Sequence, residues 1–188
     1  MNKISNLFKS KIVTNGIWMI LLQGFNTIIP LLTLPYITRI LSTSAYGEFS
    51  IALNWISYFQ VIVEYGFGLS GAKRAATQND KKEISKIHSN IITARFILMS
   101  LCIIAFIVII LTMKIDQTQT ISMSILFLMV LGTVFQQNWY FQGIAEMKNI
   151  TVINIISRIT SVVLIFLLVK QPSDLLLYCL LYASNYII

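Results

Sequence analysis

Long apolar runs are the feature of this sequence that most restricts its fold. From Ile97 to Ile110 nearly every residue is apolar, and runs of similar character recur along the chain. A helix needs roughly 20 apolar residues to cross the hydrocarbon core of a bilayer. Charged residues make up only 11% of the chain, whereas a soluble domain is about a quarter charged. The sequence therefore predicts a membrane protein with several spans.

The apolar runs divide the chain into six predicted helical segments. They cover residues 12–40, 46–69, 91–113, 121–141, 151–169 and 174–188. The runs are too long for the ~10-residue alternating strands of a membrane barrel. The last segment is too short for a complete span. We expect an all-α polytopic helix bundle of about six transmembrane helices, forming a single lobe over residues 1–188, and we expect the chain to be truncated.

The distribution of Lys and Arg predicts the orientation, because cytoplasmic loops are enriched in both. Ten of these residues lie before the first segment or in the connections near residues 70–95 and 142–150, and three lie in the opposite connections. The ten are Lys3, Lys9, Lys11, Lys73, Arg74, Lys81, Lys82, Lys86, Arg95 and Lys148; the three are Arg39, Lys114 and Lys170. The N-terminus is therefore predicted to be cytoplasmic.

Several classes of function are not expected from this sequence. The net charge of +7 follows from membrane topology, so we expect no nucleic-acid partner. Cys102 and Cys179 lie in apolar segments without metal-site spacing or a convincing disulfide partner. No paired carboxylates, phosphate-binding glycine loop or nucleophile–histidine arrangement occurs at a usable spacing. We expect no cofactor, no metal site and no enzymatic activity.

Polar and small residues recur at helical spacing in three segments. The first carries Gly16, Gln23, Asn26, Thr27, Pro30 and Thr33; the second Ser50, Asn54, Ser57, Val61, Glu64 and Gly68; the fifth Thr151, Asn154, Ser157, Arg158 and Ser161. Such stripes indicate either close helix packing or a water-filled cavity. We expect the stripe of the second segment to face the bundle interior.

Two charges lie inside these stripes, and Pro30 and Pro35 predict a kink in the first segment. At 1.5 Å per residue, Glu64 lies roughly 10 Å and Arg158 roughly 12 Å from the cytoplasmic ends of their segments. Charges at similar depth can pair, and a buried charge needs a partner or water. The two residues are therefore predicted either to form a structural ion pair or to line a cavity.

Two stretches resemble one known family. The stretch LPYITRILSTSAYGEFSIALNWISYFQVIVEYGFGLSGAKRAA (34–76) is similar to the start of the bacterial polysaccharide flippases, the Wzx-type O-antigen and capsule translocases. The stretch WYFQGIAEMKNITVINIISRI (139–159) resembles a later helix connection of that family. The family belongs to the multidrug, oligosaccharidyl-lipid and polysaccharide exporter superfamily, whose members have two similar lobes around a central cavity. This chain resembles the N-terminal lobe only.

The resemblance implies translocation of undecaprenyl-diphosphate-linked oligosaccharide units across the bacterial cytoplasmic (inner) membrane. Arginine suits phosphate because its donors form a planar fork. The candidate phosphate ligands are Arg39 and Arg158, with Arg95 at the cytoplasmic edge. The further cavity candidates are Glu64, Asn54, Ser57, Gln23, Asn26 and Asn154. The expected partners are the lipid-linked oligosaccharide, membrane lipids, a missing C-terminal lobe, and glycan polymerase and chain-length proteins.

Alternatives remain open at this point. A multidrug exporter of the same superfamily shares the architecture, although mixed intramembrane charge favours an anionic headgroup over a small cation. A non-transporting membrane scaffold fits a half-length chain.

Overall fold

The computed structural model describes residues 2–78, 80–113 and 115–186, with side chains from residue 13 onward. Within those ranges the chain is all-α. The helices are α1 (Asn2–Ile40), α2 (Thr43–Glu64), α3 (Phe67–Thr77), α4 (Lys81–Thr112), α5 (Gln117–Leu126), α6 (Leu128–Phe135), α7 (Asn138–Gly143), α8 (Met147–Leu168) and α9 (Leu175–Ser184). A 3₁₀ turn, Pro172–Asp174, precedes α9.

Four segments of the described chain are long and apolar enough to cross a membrane. They are residues 13–40, 81–112, 117–143 and 147–168. Helix α2 has 22 residues, or roughly 33 Å, which is also long enough to span. It is not among the four segments because its polar stripe makes it less apolar than they are. The protein is a multi-pass membrane protein built as a helical bundle, as the sequence predicts.

Helix α2 lies at the centre of the bundle, packed against α4, α5, α6 and α9. Its buried residues are Phe49, Ala52, Ile56, Phe59 and Val63. These recur at intervals of three and four residues and so form one helical face. The Phe59 ring makes edge-to-face contacts with rings from α4 and from the α5–α6 junction, with centroids 6.0 and 5.8 Å away. The apolar face of α2 therefore organises the core.

Local sequence explains where several helices begin. Ser42, Asp80 and Asp116 occupy the N-cap positions of α2, α4 and α5. Each side-chain oxygen accepts a hydrogen bond from a backbone N–H in the first turn, at 3.2, 2.9 and 3.0 Å respectively. Such bonds satisfy donors that a helix start leaves unpaired.

The observed helices differ from the predicted segments at their ends. The predicted span 46–69 is interrupted at Tyr65 and Gly66, and the span 121–141 is divided into α5, α6 and α7. Helices α1, α4 and α8 start earlier than predicted, since polar residues at a helix end extend it beyond the apolar run. In the predicted segment 174–188, α9 ends at Ser184, and residues 187 and 188 lie outside the described chain.

Candidate functional site

A cavity of about 420 Å³ lies between α1, α2, α8 and α9. Its lining includes Asn26 and Pro30 of α1, Phe49 of α2, Arg158 of α8 and Tyr182 of α9. Most of the wall is apolar or aromatic, and a few polar groups converge on it. This combination is typical of small-molecule and cofactor sites. We call it the central cavity.

Arg158 supplies the positive charge of the central cavity. It lies near the middle of α8 and is half-buried. In the described part of the chain the single ion pair is between Glu64 and Arg95, so Arg158 has no carboxylate partner there. An arginine that lines a cavity without an acid partner can receive an anion, and its planar fork matches phosphate.

Tyrosines of α9 form the aromatic wall. Tyr178, Tyr182 and Tyr186 follow one another at intervals of four residues, so they lie along one side of the helix and its C-terminal turn. Neighbouring ring centroids are 6.0 and 6.5 Å apart. Phe49 packs against the first two rings at 4.7 and 5.2 Å. The sequence analysis missed this wall, although the four-residue spacing was visible.

Helix α1 contributes unpaired acceptors to the same cavity. The side-chain Oδ1 of Asn26 is buried, and no described residue donates a hydrogen bond to it. Pro30 lies four residues later and has no N–H, so the backbone carbonyl of Asn26 also loses its helical partner. The helix nevertheless continues through both Pro30 and Pro35. The lining of the cavity thus combines a cation on α8 with an amide side chain on α1.

Glu64 lies outside the central cavity and forms an ion pair with Arg95. Arg95 is only 2% exposed, and its Nη1 also donates to the carbonyl oxygens of Gln136 at 2.8 Å and Thr133 at 3.2 Å. Thr133 lies in the last turn of α6 and Gln136 directly follows that helix, where carbonyls lack helical partners. We call this set the Glu64–Arg95 network. It joins the ends of α2 and α6 to the middle of α4.

The network also explains the break between α2 and α3. Glu64 is the last residue of α2, and its Oε1 accepts a hydrogen bond of 2.7 Å from the backbone N–H of Gly68 in the first turn of α3. Tyr65 and Gly66 between them both adopt positive φ, at 42° and 74°. A Cβ at position 68 would lie 2.6 Å from that Oε1. The carboxylate of Glu64, the last residue of α2, therefore caps the start of α3.

The possible pairing of Glu64 with Arg158 does not occur. Glu64 pairs with Arg95 instead, whereas Arg158 lines the central cavity, whose lining does not include Glu64. Arg95, expected at the cytoplasmic edge of the membrane, has its side chain buried among the helices, and its depth in the membrane stays a prediction. The segment boundaries used for the depth estimate were displaced by the α2–α3 break.

The remaining candidates are dispersed. Gln23, Arg39 and Asn54 are exposed at the surface of the chain, Arg39 in the last turn of α1. Ser57 is half-buried and donates to the Asn54 carbonyl at 2.7 Å. Asn154 donates to a backbone carbonyl at 2.8 Å and lines a separate cavity of about 190 Å³. Of the predicted residues, the structure places only Asn26 and Arg158 in the central cavity.

The polar stripe of α2 is only partly buried in this bundle, whereas we expected it to face the interior. Asn54 and Val61 are exposed, the latter by 70%, while the apolar face of α2 is buried. The aromatic and branched side chains of that opposite face fill the core more completely than the small polar ones. Asn54 and Val61 therefore lie on the outer surface of the described chain, while Ser50, Ser57, Glu64 and Gly68 are half-buried.

Two other expectations, on metal binding and on orientation, stay predictions. The described residues contain no group of three His, Cys, Asp or Glu side chains placed to hold a metal ion. The side chains of Lys3, Lys9 and Lys11, and the whole of Lys114, lie outside the described residues. The cytoplasmic placement of the N-terminus therefore stays a prediction.

Comparison with known proteins gives two matching relatives, both named "Putative O-antigen transporter". The one from Shigella dysenteriae is 29% identical over 161 residues, which cover 86% of this chain and 40% of the relative. The one from Escherichia coli (strain K12) is 28% identical over 171 residues, which cover 90% of this chain and 41% of the relative. The chain thus spans about two fifths of the length of these relatives. No solved structure matches.

A family model described as polysaccharide biosynthesis protein matches residues 12–188. The match includes α1 from residue 12 onward and all of α2 through α9, and therefore every wall of the central cavity. On this evidence the chain belongs to the polysaccharide biosynthesis protein family.

Proposed function

We propose that this chain forms the N-terminal lobe of a flippase that moves undecaprenyl-diphosphate-linked oligosaccharide units across the bacterial inner membrane, for O-antigen or capsule synthesis. Three observations support the proposal: the family, the transporter names of the two relatives, and the central cavity. The observation that carries it is Arg158, a cation without an acid partner among the described residues, in an aromatic cavity.

The chemistry of the substrate fits the cavity. A diphosphate carries charge that cannot enter hydrocarbon unaided, since a single charge at the bilayer centre costs at least about 2.5 kcal/mol. Arg158 would bind the diphosphate through its forked donors. The amide of Asn26 would hydrogen-bond sugar hydroxyls, and the tyrosine rings of α9 would pack against the sugar faces. The polyprenyl tail would remain in the bilayer.

The exposed polar residues of α1 and α2 are also explained by the same proposal. Exposed amides such as Gln23 and Asn54 are costly against lipid. A second lobe facing α1 and α2 would cover them and enclose a wetter pathway continuous with the central cavity. Ser57, Asn154 and Arg39 would lie along or at the rim of that pathway. Glu64 would act indirectly, by holding α2 and α4 in register through Arg95.

The N-terminus of the proposed flippase would lie in the cytoplasm. The protein would translocate its substrate without catalysing a covalent reaction. The glycan polymerase and chain-length proteins would take the product on the outer side.

The test is binding of an undecaprenyl-diphosphate-linked sugar to the chain in lipid nanodiscs. Loss of one charge-assisted contact corresponds to about 1.5–3 kcal/mol, so Arg158→Gln should weaken binding roughly 10- to 100-fold. Lys148→Gln is the matched control, since Lys148 is an exposed cation on the same helix and lies outside the central cavity.

Three outcomes would contradict the proposal. Equal binding of the lipid-linked sugar by Arg158→Gln and by the parent chain would show that Arg158 is not part of the binding site. Tight binding of a lipophilic cation such as tetraphenylphosphonium, strengthened by Arg158→Gln, would favour a multidrug exporter. Absence of binding for every ligand would favour the non-transporting scaffold.

A further inference from the structure

A second cavity, outside the proposed transport site, lies between α3, α4 and α7. Its volume is about 950 Å³, more than twice that of the central cavity. Its polar lining includes Lys81, Ser85 and His88 of α4, Gln137 in the α6–α7 connection and Tyr140 of α7. We call it the peripheral cavity.

The length of α4 places the peripheral cavity at the membrane surface. Helix α4 has 32 residues, or roughly 48 Å, whereas the hydrocarbon core is about 30 Å thick. Its C-terminal part is apolar, and its first ten residues include three lysines and a glutamate. That polar end, which lines the cavity, therefore extends beyond the hydrocarbon into the headgroup layer. Trp139 and Tyr140 beside it are residue types enriched at this depth.

The electrostatic character of the lining suits an anion. Lys81 is a cation, and Ser85, His88 and Tyr140 can donate hydrogen bonds. The described lining contains no carboxylate. Asp80, next to Lys81, already accepts the Lys82 backbone N–H at 2.9 Å as the cap of α4.

The walls are held in place by buried contacts. Trp139 is 3% exposed and packs with Ala75 and Ile91 in a small apolar cluster beneath the cavity. The ring of His88 lies 6.0 Å from that of Trp139 and 6.1 Å from that of Tyr140. The polar groups are thus arranged on a fixed base, which lowers the entropy lost when a ligand binds.

Apolar residues complete the lining and indicate what else the ligand carries. Ile84 of α4 and Ile144 after α7 line the same cavity. A free phosphate would leave these side chains without a partner, whereas a glycerophospholipid places glycerol and acyl groups next to its phosphate. We propose that the peripheral cavity binds the phosphate of an anionic phospholipid from the adjacent leaflet, with Lys81 as its principal cation.

The experiment counts phosphatidylglycerol molecules retained by the purified chain in native mass spectrometry. A lysine near an anionic lipid surface contributes about 1 kcal/mol, or roughly fivefold in binding. Lys81→Gln should therefore lower phosphatidylglycerol binding about fivefold. Lys86→Gln removes the same charge from the same helix outside the cavity lining, so it should change binding little. His88→Gln gives a second variant within the cavity and should also lower binding.

Three results would overturn the proposal. Equal losses for Lys81→Gln and Lys86→Gln would mean that only general surface charge attracts the lipid. Equal binding of zwitterionic phosphatidylethanolamine would remove the selectivity for an anionic lipid. Displacement of phosphatidylglycerol by inorganic phosphate at similar concentration would assign the cavity to a free anion.

Discussion

Replacing Arg95 with methionine should destabilise the chain by about 3 kcal/mol. Breaking a buried pair by removing one partner costs about 3–5 kcal/mol. The lower end applies here because the Glu64 side chain is 35% exposed and can be hydrated once its partner is gone. The three carbonyls to which Arg95 donates, at Gln136, Thr133 and Val134, would also lose this donor.

The measurement is unfolding of the chain by sodium dodecyl sulfate in mixed micelles, followed by tryptophan fluorescence. An exposed lysine on the same helix, Lys86, provides the control for loss of a positive charge. Lys86→Met should change the free energy of unfolding by no more than about 0.5 kcal/mol. If Arg95→Met has as small an effect, the network is not a stabilising element.

A double-mutant cycle identifies the partner of Glu64. Residues in one salt-bridge network show coupling energies of about 0.5–3 kcal/mol, whereas separated residues are nearly additive. Glu64→Gln should therefore couple to Arg95→Met and not to Arg158→Met. Coupling to Arg158 without coupling to Arg95 would contradict the observed pairing.

Two further predictions concern packing and pH. Gly132→Ala should destabilise the chain by about 1–3 kcal/mol, because the new Cβ would overlap the Tyr186 carbonyl oxygen. The control is Gly24→Ala, whose new Cβ would meet nothing within 4 Å. It should be neutral or stabilising in the same unfolding assay. Backbone N–H groups of the preceding turn lower the pKa of Asp174. Its contribution to stability is therefore complete above the unfolded pKa of about 3.9 and lost as the pH falls through the folded pKa. The Tm difference between the parent chain and Asp174→Asn should shrink on acidification below that range, and a constant difference from pH 7 to pH 2 would contradict this.

The helical membrane class could be predicted from the sequence because it depends on local properties. An apolar run such as 97–110 has to be helical in a bilayer, where each backbone polar group needs an internal partner. The starts of α2, α4 and α5 are likewise local, because each has a Ser or Asp cap.

The helix breaks and the charge pairing could not be predicted in the same way. The break at Tyr65 and Gly66 depends on Glu64 reaching both Gly68 and Arg95, and Arg95 is 31 residues away in sequence. Helical periodicity shows which residues share one face of a helix. It does not show whether that face points into the bundle or outward. The stripe containing Asn54 was therefore assigned inward, although the opposite face carries the bulkier apolar side chains.

The candidate site was predicted only in part. Arg158 and Asn26 stood out as polar residues inside apolar runs, and the structure places both in one cavity. The tyrosines of α9 have the helical spacing of an ordinary apolar face. Their role as a cavity wall depends on how α9 packs beside α1 and α8.

Photo-crosslinking inside the central cavity tests the proposed function most directly. A benzophenone amino acid replaces Tyr182 in the cavity or Ile104, which is 60% exposed on the apolar part of α4. Cells that make lipid-linked glycan are then irradiated, and glycan attached to the chain is measured. We predict diphosphate-linked glycan on the Tyr182 variant, only background on the Ile104 variant, and loss of the Tyr182 adduct when Arg158→Gln is added. Equal labelling at both positions, or labelling at Tyr182 that does not depend on Arg158, would contradict a diphosphate-binding cavity.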